Sequence, residues 1–264
     1  MKRALFPIAA LAVLFLSAFT HGTPDRGEGA SPPKADPAAD SLVEAWISAL
    51  GGMDTYARLQ TARYTLTTEL YDAASGRLKR TRPRYVTLAR TPAGEMARIE
   101  RWEGDDFIEQ RWNGRTAWAA RNATPLGSGD KDFDETPYVA GDVNYWIALP
   151  FKLRDPGVFL QDRGRDAEGR RVVAVTFGED VGLHDDTWQY FFAKGRVWPV
   201  EVRYREEGKT NWNRLRFEDI RKVDGYVFVG RRVYFNDRGQ TTKVLYTHDF
   251  ELNPNVDPAV FERP

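Results

Sequence analysis

Residues 107–120 read FIEQRWNGRTAWAA, two strand-like runs on either side of Asn113-Gly114. An Asn-Gly pair in this position is the strongest short-range signal for a β-hairpin, because both residues tolerate the positive φ angles of a type I′ turn. The stretch therefore predicts that Phe107–Trp112 and Thr116–Ala120 are antiparallel neighbours. Similar short runs recur along the chain in both directions from this hairpin.

The clearest of these runs is Ala62–Leu70, in which the even positions are mostly apolar and the odd positions are polar. Such alternation is typical of a strand with one covered and one solvated face. The further strand-like runs are residues 78–89, 96–103, 158–165, 170–178, 187–193, 197–206, 210–220, 226–235 and 241–250. Glycine-containing turns separate them without crossover helices, which favours an antiparallel meander of about eleven strands.

Two helices accompany the strands. Asp40 or Ser41 is a candidate N-cap for a helix that ends at Gly51-Gly52. Its apolar positions fall on one stripe, formed by Leu42, Val43, Trp46, Ile47 and Leu50. Beyond a polar loop at residues 122–136, Tyr138–Leu149 has a helical pattern that ends at Pro150.

The width of the sheet is the reason to expect a container. Eleven strands at about 4.8 Å spacing make a sheet about 50 Å across, which is too wide to stay flat and bury one face. We therefore expect a mainly β fold, an open half-barrel whose helices lie in or over its mouth and leave an apolar groove. A fully packed core without a cavity is the alternative.

Composition excludes several classes of function. The 264 residues carry 38 basic and 38 acidic side chains, which argues against a general nucleic-acid binder. The chain has no cysteine, so thiol nucleophiles, thiolate metal sites and an acylated N-terminal cysteine are excluded. Aromatic residues make up 13% and include eight tryptophans, which suits a broad apolar surface lined by rings.

The first residues have the pattern of a secretory signal. Lys2 and Arg3 precede Ala4–Phe19, an uncharged run that is short for a membrane span. An uncleaved membrane anchor is the alternative. We expect a periplasmic or secreted protein that is not a lipoprotein. The expected organisation is a signal peptide at 1–22, a flexible linker at 23–40 and one domain at 41–264.

The middle of the chain carries a resemblance. Residues 144–157, NYWIALPFKLRDPG, together with Val175-Thr176-Phe177 and Leu252-Asn253-Pro254, resemble motifs of an uncharacterised bacterial exported family with a LolA-like fold. The similarity covers about residues 42–264. It implies a half-barrel of about eleven antiparallel strands with a helical lid, as in the lipoprotein carriers LolA and LolB. It also implies an apolar cavity suited to acyl chains.

Candidate ligand-binding residues follow from the strand faces and from the family-like segment. The residues are Tyr64, Leu66, Leu70, Trp102, Trp112, Trp118, Trp146, Ile147 and Phe151. The first three belong to one strand face and would form the groove wall. The three tryptophans on successive strands would form an aromatic band, and the last three would form a lid. For each of them an ordinary core position is the alternative.

Two charged motifs need separate interpretations. The basic run of Arg77, Lys79, Arg80, Arg82 and Arg84 suits either anionic lipid head groups or a charged edge strand, and we favour the edge strand.

The second motif is His184-Asp185-Asp186, which has the residue types of a metal or acid–base site. A polar loop explains it better, since it stands alone in sequence. We predict no catalytic residue, no metal and no cofactor.

These features favour a non-catalytic binding or carrier protein for a hydrophobic, lipid-like ligand or for lipoprotein acyl chains. A membrane surface or a lipoprotein is the expected partner, and nucleic acid is not. An envelope sensor or interaction module using the same groove is one alternative. A metal-dependent hydrolase around His184, Asp185 and Asp186 is the other.

Overall fold

A computed structural model of the chain describes residues 36–92, 94–178, 181, 187–205 and 209–264. The helices are α1 (Pro37–Ala49), α2 (Gly52–Arg58), α3 (Lys131–Asp134) and α4 (Thr136–Ala148), with 3-10 turns at Phe151–Arg154 and Pro258–Phe261. The strands are β1 (Thr61–Tyr71), β2 (Leu78–Thr91), β3 (Gly94–Glu103), β4 (Asp106–Trp112), β5 (Ala117–Arg121), β6 (Thr124–Pro125), β7 (Val158–Arg165), β8 (Arg171–Phe177), β9 (Thr187–Phe192), β10 (Glu201–Arg205), β11 (Asn213–Val223), β12 (Tyr226–Phe235) and β13 (Thr241–Leu252).

The thirteen strands form one open antiparallel sheet in the order β6-β5-β4-β3-β2-β1-β13-β12-β11-β10-β9-β8-β7. The first and last strands of the chain are therefore neighbours at the centre, and β6 and β7 are the two free edges. The helices α3 and α4 connect these edges. The predicted open half-barrel is confirmed, with thirteen strands instead of about eleven. One added strand, β6, is a two-residue pairing inside the predicted polar loop.

Helix α1 begins earlier than the sequence pattern predicted. The carboxylate of Asp36 accepts hydrogen bonds from the backbone N–H groups of Ala38 (3.0 Å) and Ala39 (3.2 Å), so Asp36 is the N-cap. Pro37 is well suited to the first helical position, because its missing N–H is not needed there. Asp40 or Ser41 as the cap is therefore wrong, and residues 37–40 are helical instead of linker.

The same carboxylate fixes α1 to the edge of the sheet. The second oxygen of Asp36 accepts a hydrogen bond from the backbone N–H of Asp162 on β7 at 2.8 Å. Arg154 then bridges to the first turn of the helix, donating to the Asp40 carboxylate at 2.7 Å. One end of α1 is thus anchored to β7 and to the segment that follows α4.

The concave face of the sheet is covered only in part. Along β1 the inward-facing side chains of Ala62, Tyr64 and Leu66 are 0%, 5% and 3% exposed, because α4 and the neighbouring strands pack on them. The next two inward positions, Thr68 and Leu70, are half-exposed. We call the covered half of the hollow the closed end and the uncovered half the open end.

The basic strand, β2, lies between β1 and β3 in the order of the sheet. β2 pairs with β1 from Leu78 to Ala89 but with β3 only from Tyr85 to Thr91, so in the described residues the basic run has a paired neighbour on one side and keeps the character of a charged edge. Its arginines at 80, 82 and 84 pair with Leu70, Thr68 and Leu66, and therefore point to the concave face at the open end. None of the helices in the described part of the chain is long and apolar enough to cross a membrane.

Candidate functional site

The closed end of the hollow is filled by the side chains of the protein. Trp46 of α1 is 2% exposed, and its ring centroid lies 5.6 Å from that of Tyr190 and 6.1 Å from that of Phe217. A space of about 10 Å³ remains beside Trp46, Leu50 and Leu149, which is too small for a ligand. This part of the structure offers no room for an acyl chain unless a helix moves.

Several of the predicted groove residues are part of this packing. The Tyr64 hydroxyl donates a hydrogen bond to the Val143 carbonyl at 2.9 Å, and Tyr226 donates one to the Ile147 carbonyl at 2.7 Å. Phe151 is fully buried and its ring stacks on that of Tyr56 at 4.9 Å. Tyr64, Ile147 and Phe151, like Leu66, are therefore part of the packing between the helical segment and the closed end of the sheet.

The three tryptophans on successive strands do not form one band. Trp102 is 57% exposed and lies against Phe107, with ring centroids 5.1 Å apart. Trp112 is half-buried and packs against the core. The Trp118 ring lies 4.9 Å from the guanidinium carbon of Arg111, whose Nη1 bonds the backbone of the C-terminal segment on the convex side. Strand alternation places Trp112 on the concave face and Trp102 and Trp118 on the convex face.

Trp146 lies at the boundary between the closed and open ends. Its indole Nε1 donates a hydrogen bond to the Asp142 carboxylate one helical turn earlier, at 2.7 Å. The guanidinium carbon of Arg232 on β12 lies 4.3 Å from the centre of its ring. Trp146 is half-buried, whereas the neighbouring Ile147 is 4% exposed. Of the predicted lid residues, Trp146 is the one that reaches the uncovered part of the hollow.

Three basic side chains converge on this uncovered part: Arg84 of β2, Arg232 of β12 and Lys243 of β13. We call them the open-end cluster. Arg232 is 3% exposed, and its Nη1 is buried without a hydrogen-bond partner. Across the described ranges, none of the three lies within 4.0 Å of a carboxylate. The Lys243 ammonium instead lies 3.9 Å from the centre of the Tyr234 ring.

The electrostatics of the cluster reflect crowding of like charge. Burial lowers the pKa of Lys243 to about 8, and the positive charges of Arg232 and Arg84 act in the same direction. Asp142 opposes this effect, and it also favours the charged form of Arg84. Burial likewise lowers the pKa of Arg84. One carboxylate therefore faces three cations.

The arginines around the cluster, in contrast, are paired. Arg80 and Arg82 approach the Glu103 carboxylate at 3.1 and 3.4 Å. Arg101 bonds Asp132, which also accepts from Arg121 at 2.9 Å. Each of these two carboxylates is shared by two arginines, whereas the three residues of the open-end cluster form no ion pair in the described part of the chain.

The predicted enzyme candidate, His184-Asp185-Asp186, lies outside the described residues. Within the described ranges no three acidic or histidine side chains are grouped in a way that suits a metal ion. The acidic turn residue Asp155 has a structural partner, since its carboxylate lies 3.2 Å from the Lys152 ammonium. Burial raises the pKa of Asp155.

A larger groove, of about 450 Å³, lies on the convex side of the sheet beneath the C-terminal segment. Its lining mixes apolar and charged side chains and includes Arg63, Tyr85, Arg98, Glu100 and Val260. Arg98 is neutralised there by Glu100 at 2.8 Å. This groove differs from the open end in having its charges matched.

The architecture is similar to that of several solved structures. A DUF1329 family protein from Desulfovibrio piger matches with a TM-score of 0.54 and 12% identity, over 85% of this chain and 97% of that one. The chain has the LolA-like fold. A LolA superfamily protein from Nitrosomonas europaea matches with a TM-score of 0.51, 12% identity and the same coverage.

A third structure with this LolA-like fold is a putative outer membrane lipoprotein-sorting protein domain from Vibrio parahaemolyticus. It matches with a TM-score of 0.50 and 12% identity, over 84% of this chain and 97% of that one. No family model and no curated protein matches the chain. Identity at this level establishes the fold alone, so the function must be argued from the residues described above.

Sequence reasoning had named Arg84 but not Arg232, Lys243 or Asp142. The signal was present in the strand alternation. In YVFVGRRVYF, residues 226–235, Arg232 shares a face with Tyr226, Phe228 and Tyr234. A cation on the apolar face of a strand is rare unless it is paired or functional.

Proposed function

We propose that this protein is a non-catalytic binding or carrier protein for a lipid-like amphiphile in the bacterial envelope. The observation that carries the proposal is the uneven cover of the concave face. The closed end is sealed by α1 and α4, while Thr68 and Leu70 remain accessible at the open end. An amphiphile needs an apolar surface beside a polar mouth, and this is the arrangement at the open end.

Helix α4 is the proposed lid. Its first residue, Thr136, follows Glu135, which provides no side-chain cap, and Gly141 in its interior is a poor helix former. Its stability therefore depends on packing against the sheet more than on local signals. An acyl chain that replaces this packing buries apolar surface worth about 0.8 kcal/mol per methylene, which offsets the cost of moving the helix.

The affinity would come from this apolar burial, and no covalent step is required. Access begins at the open end, past Trp146 and Leu70. The space beneath α4 then widens as the helix turns away from Tyr64 and Tyr226, whose hydroxyls hold its backbone.

The test combines two measurements on the purified protein. Native mass spectrometry and organic extraction look for a co-purified lipid. Titration with hexaethylene glycol monododecyl ether, an uncharged amphiphile, follows binding below its micelle concentration. We expect binding together with faster amide hydrogen exchange in residues 136–148, and unchanged exchange in β8. A protein without lipid that also fails to bind the ether contradicts the carrier proposal.

A further inference from the structure

The open-end cluster has an imbalance that packing alone does not explain. Burying a cation without a partner costs free energy, and proteins normally pair such groups. Around the cluster this rule is followed in part, since Glu103 and Asp132 are each paired with two neighbouring arginines. Arg84, Arg232 and Lys243 form no ion pair in the described part of the sheet.

Asp142 does not neutralise the three cations. Its carboxylate is hydrogen-bonded to the Trp146 indole at 2.7 Å, and in the described structure it forms no ion pair with the cluster. Its single negative charge leaves a net charge of about two positive units among the four side chains at neutral pH. The buried Nη1 of Arg232 still has a free donor.

The spacing of the cluster suits one oxyanion group. Strands β2, β1, β13 and β12 are consecutive, so at about 4.8 Å each the outer two backbones are about 14 Å apart. Arginine and lysine side chains are long enough to reach toward one another over the two intervening strands, β1 and β13. The three residues share the concave face, because they lie opposite Leu66, Leu245 and Leu70 in the sheet register.

We propose that Arg84, Arg232 and Lys243 together bind the phosphate head group of an anionic amphiphile at the open end. Two arginine forks and one ammonium suit the three free oxygens of a phosphate monoester, because guanidinium groups bind such oxygens through paired N–H donors. The Trp146 and Tyr234 rings beside the two cations supply apolar surface for the first methylenes. This inference rests on the proposed function and assigns its ligand class.

The experiment compares three probes by calorimetric titration of the whole protein below the micelle concentrations. Dodecyl phosphate carries the head group and the chain, hexaethylene glycol monododecyl ether carries a chain of the same length without charge, and inorganic phosphate carries the charge alone. We expect dodecyl phosphate to bind about tenfold or more tightly than the ether, since it adds charge-assisted hydrogen bonds. Inorganic phosphate is expected to bind much more weakly than either.

Variants then assign the effect to the cluster. Lys243→Met keeps the length of the side chain and removes its charge, and Lys222→Met makes the same change at an exposed position of β11. Lys243→Met is expected to weaken dodecyl phosphate binding about tenfold and to leave binding of the ether unchanged. Lys222→Met is expected to change neither. Arg84→Met provides an independent second variant with the same expected loss.

The outcomes separate this inference from the function on which it rests. Equal affinity for dodecyl phosphate and the ether overturns the head-group site and leaves the carrier proposal intact. Inorganic phosphate binding as tightly as dodecyl phosphate supports an oxyanion site and contradicts the amphiphile. An affinity for dodecyl phosphate that survives both Lys243→Met and Arg84→Met overturns the assignment to these residues.

Discussion

The Arg232 guanidinium lies over the Trp146 ring, 4.3 Å from its centre, and this contact joins the sheet to helix α4 where the closed and open ends meet. Arg232 belongs to the open-end cluster and Trp146 to the proposed lid. A cation over an indole face is stabilising, and more so when water is largely excluded. The position of the helix and the charge of the cluster are therefore physically coupled.

Removing the Trp146 ring is the direct test of this coupling. Trp146→Ala is expected to weaken dodecyl phosphate binding about tenfold or more, because both the apolar wall and the Asp142 hydrogen bond are lost. The free energy of unfolding is expected to fall by about 2 kcal/mol, as the ring is only half-buried. Trp102→Ala, at a 57% exposed ring, is the control. Unchanged binding in a stable Trp146→Ala protein removes the residue from the lid.

Loss of the Lys243 charge is expected to stabilise the protein. The pKa of Lys243 is lowered to about 8 from the usual 10.5, so its charged form is less favourable in the folded than in the unfolded state. Lys243→Met is expected to raise the free energy of unfolding at pH 7 by about 1 kcal/mol, or the melting temperature by about 2–4 °C. Lys222→Met is the matched control and is expected to have no effect.

The pH dependence of that gain follows from the same shift. Below pH 8 the lysine is charged in both states and the penalty is fully present, whereas between about 8 and 10.5 the folded protein releases the proton first and the penalty declines. The stabilising effect of Lys243→Met should therefore shrink as the pH rises through this window. Arg232, Arg84, Asp142 and Tyr234 all face this lysine, and none of them is altered by the variant. A gain that is constant with pH contradicts the assignment.

Asp142→Asn is expected to have the opposite effect on ligand binding. The amide oxygen still accepts the Trp146 hydrogen bond, but the one negative charge facing the cluster is gone. Dodecyl phosphate is expected to bind about three- to tenfold more tightly, while the melting temperature falls because the cations lose their counter-charge. Asp105→Asn, at an exposed position on the β3–β4 turn, is the control. Weaker binding in Asp142→Asn shows that the carboxylate serves the ligand instead of balancing the cluster.

Substitution of Gly157 is expected to destabilise the Asp155-Pro156-Gly157 turn. Gly157 has a φ of +83°, and a Cβ there would lie 2.5 Å from Cγ2 of Val181. Gly164 has a φ of +75° with open space around it. Gly164→Ala is expected to cost about 1 kcal/mol from backbone strain, and Gly157→Ala about 1–3 kcal/mol more from the overlap. Adding Val181→Ala should recover that excess, and its failure to do so contradicts the overlap.

Asn253 is expected to be a stabilising clamp. Its side-chain oxygen accepts hydrogen bonds from the backbone N–H groups of Gln60 (2.9 Å) and Thr61 (3.1 Å), and its amide donates to the Arg58 carbonyl at 2.8 Å. Asn253→Ala is expected to cost about 2 kcal/mol in chemical denaturation. Asn253→Asp keeps the acceptor and is expected to cost less. Equal losses in the two variants contradict the role of the side-chain oxygen.

The sequence was sufficient to predict the class of fold because the strand signals are local. The alternation of Ala62–Leu70 and the Asn113-Gly114 turn each report on a few neighbouring residues. The strand and the hairpin both form, although the hairpin loop has four residues, 113–116, instead of the expected two. The order of the strands in the sheet, in contrast, depends on residues that are far apart in the sequence. The position of β2 depends on its pairing with distant parts of the chain, with β1 from Leu78 to Ala89 and with β3 from Tyr85 to Thr91.

The candidate site depended still more on distant parts of the chain. Arg84, Asp142, Arg232 and Lys243 come from three strands and a helix, and their convergence follows only from the register of β1 with β2 and β13. Aromatic residues attracted attention because they are rare and large, yet the register places Trp102 and Trp118 on the convex face of the sheet. Burial of the cations was the decisive property, and it can be measured only on a folded chain.

The pairing of β1 with β13 also determines the order in which this sheet can be completed. Thr61 and Asn253 are 192 residues apart, yet they are hydrogen-bonded at the central seam. During synthesis the arm from β1 to β6 emerges first, and one side of β1 has unsatisfied backbone groups until the final strand leaves the ribosome. Each arm can assemble from hairpins, but closing the seam must wait for the last residues. A chain truncated before β13 is therefore expected to leave two arms with unpaired strand edges, and such a chain would be bound by chaperones or degraded by proteases.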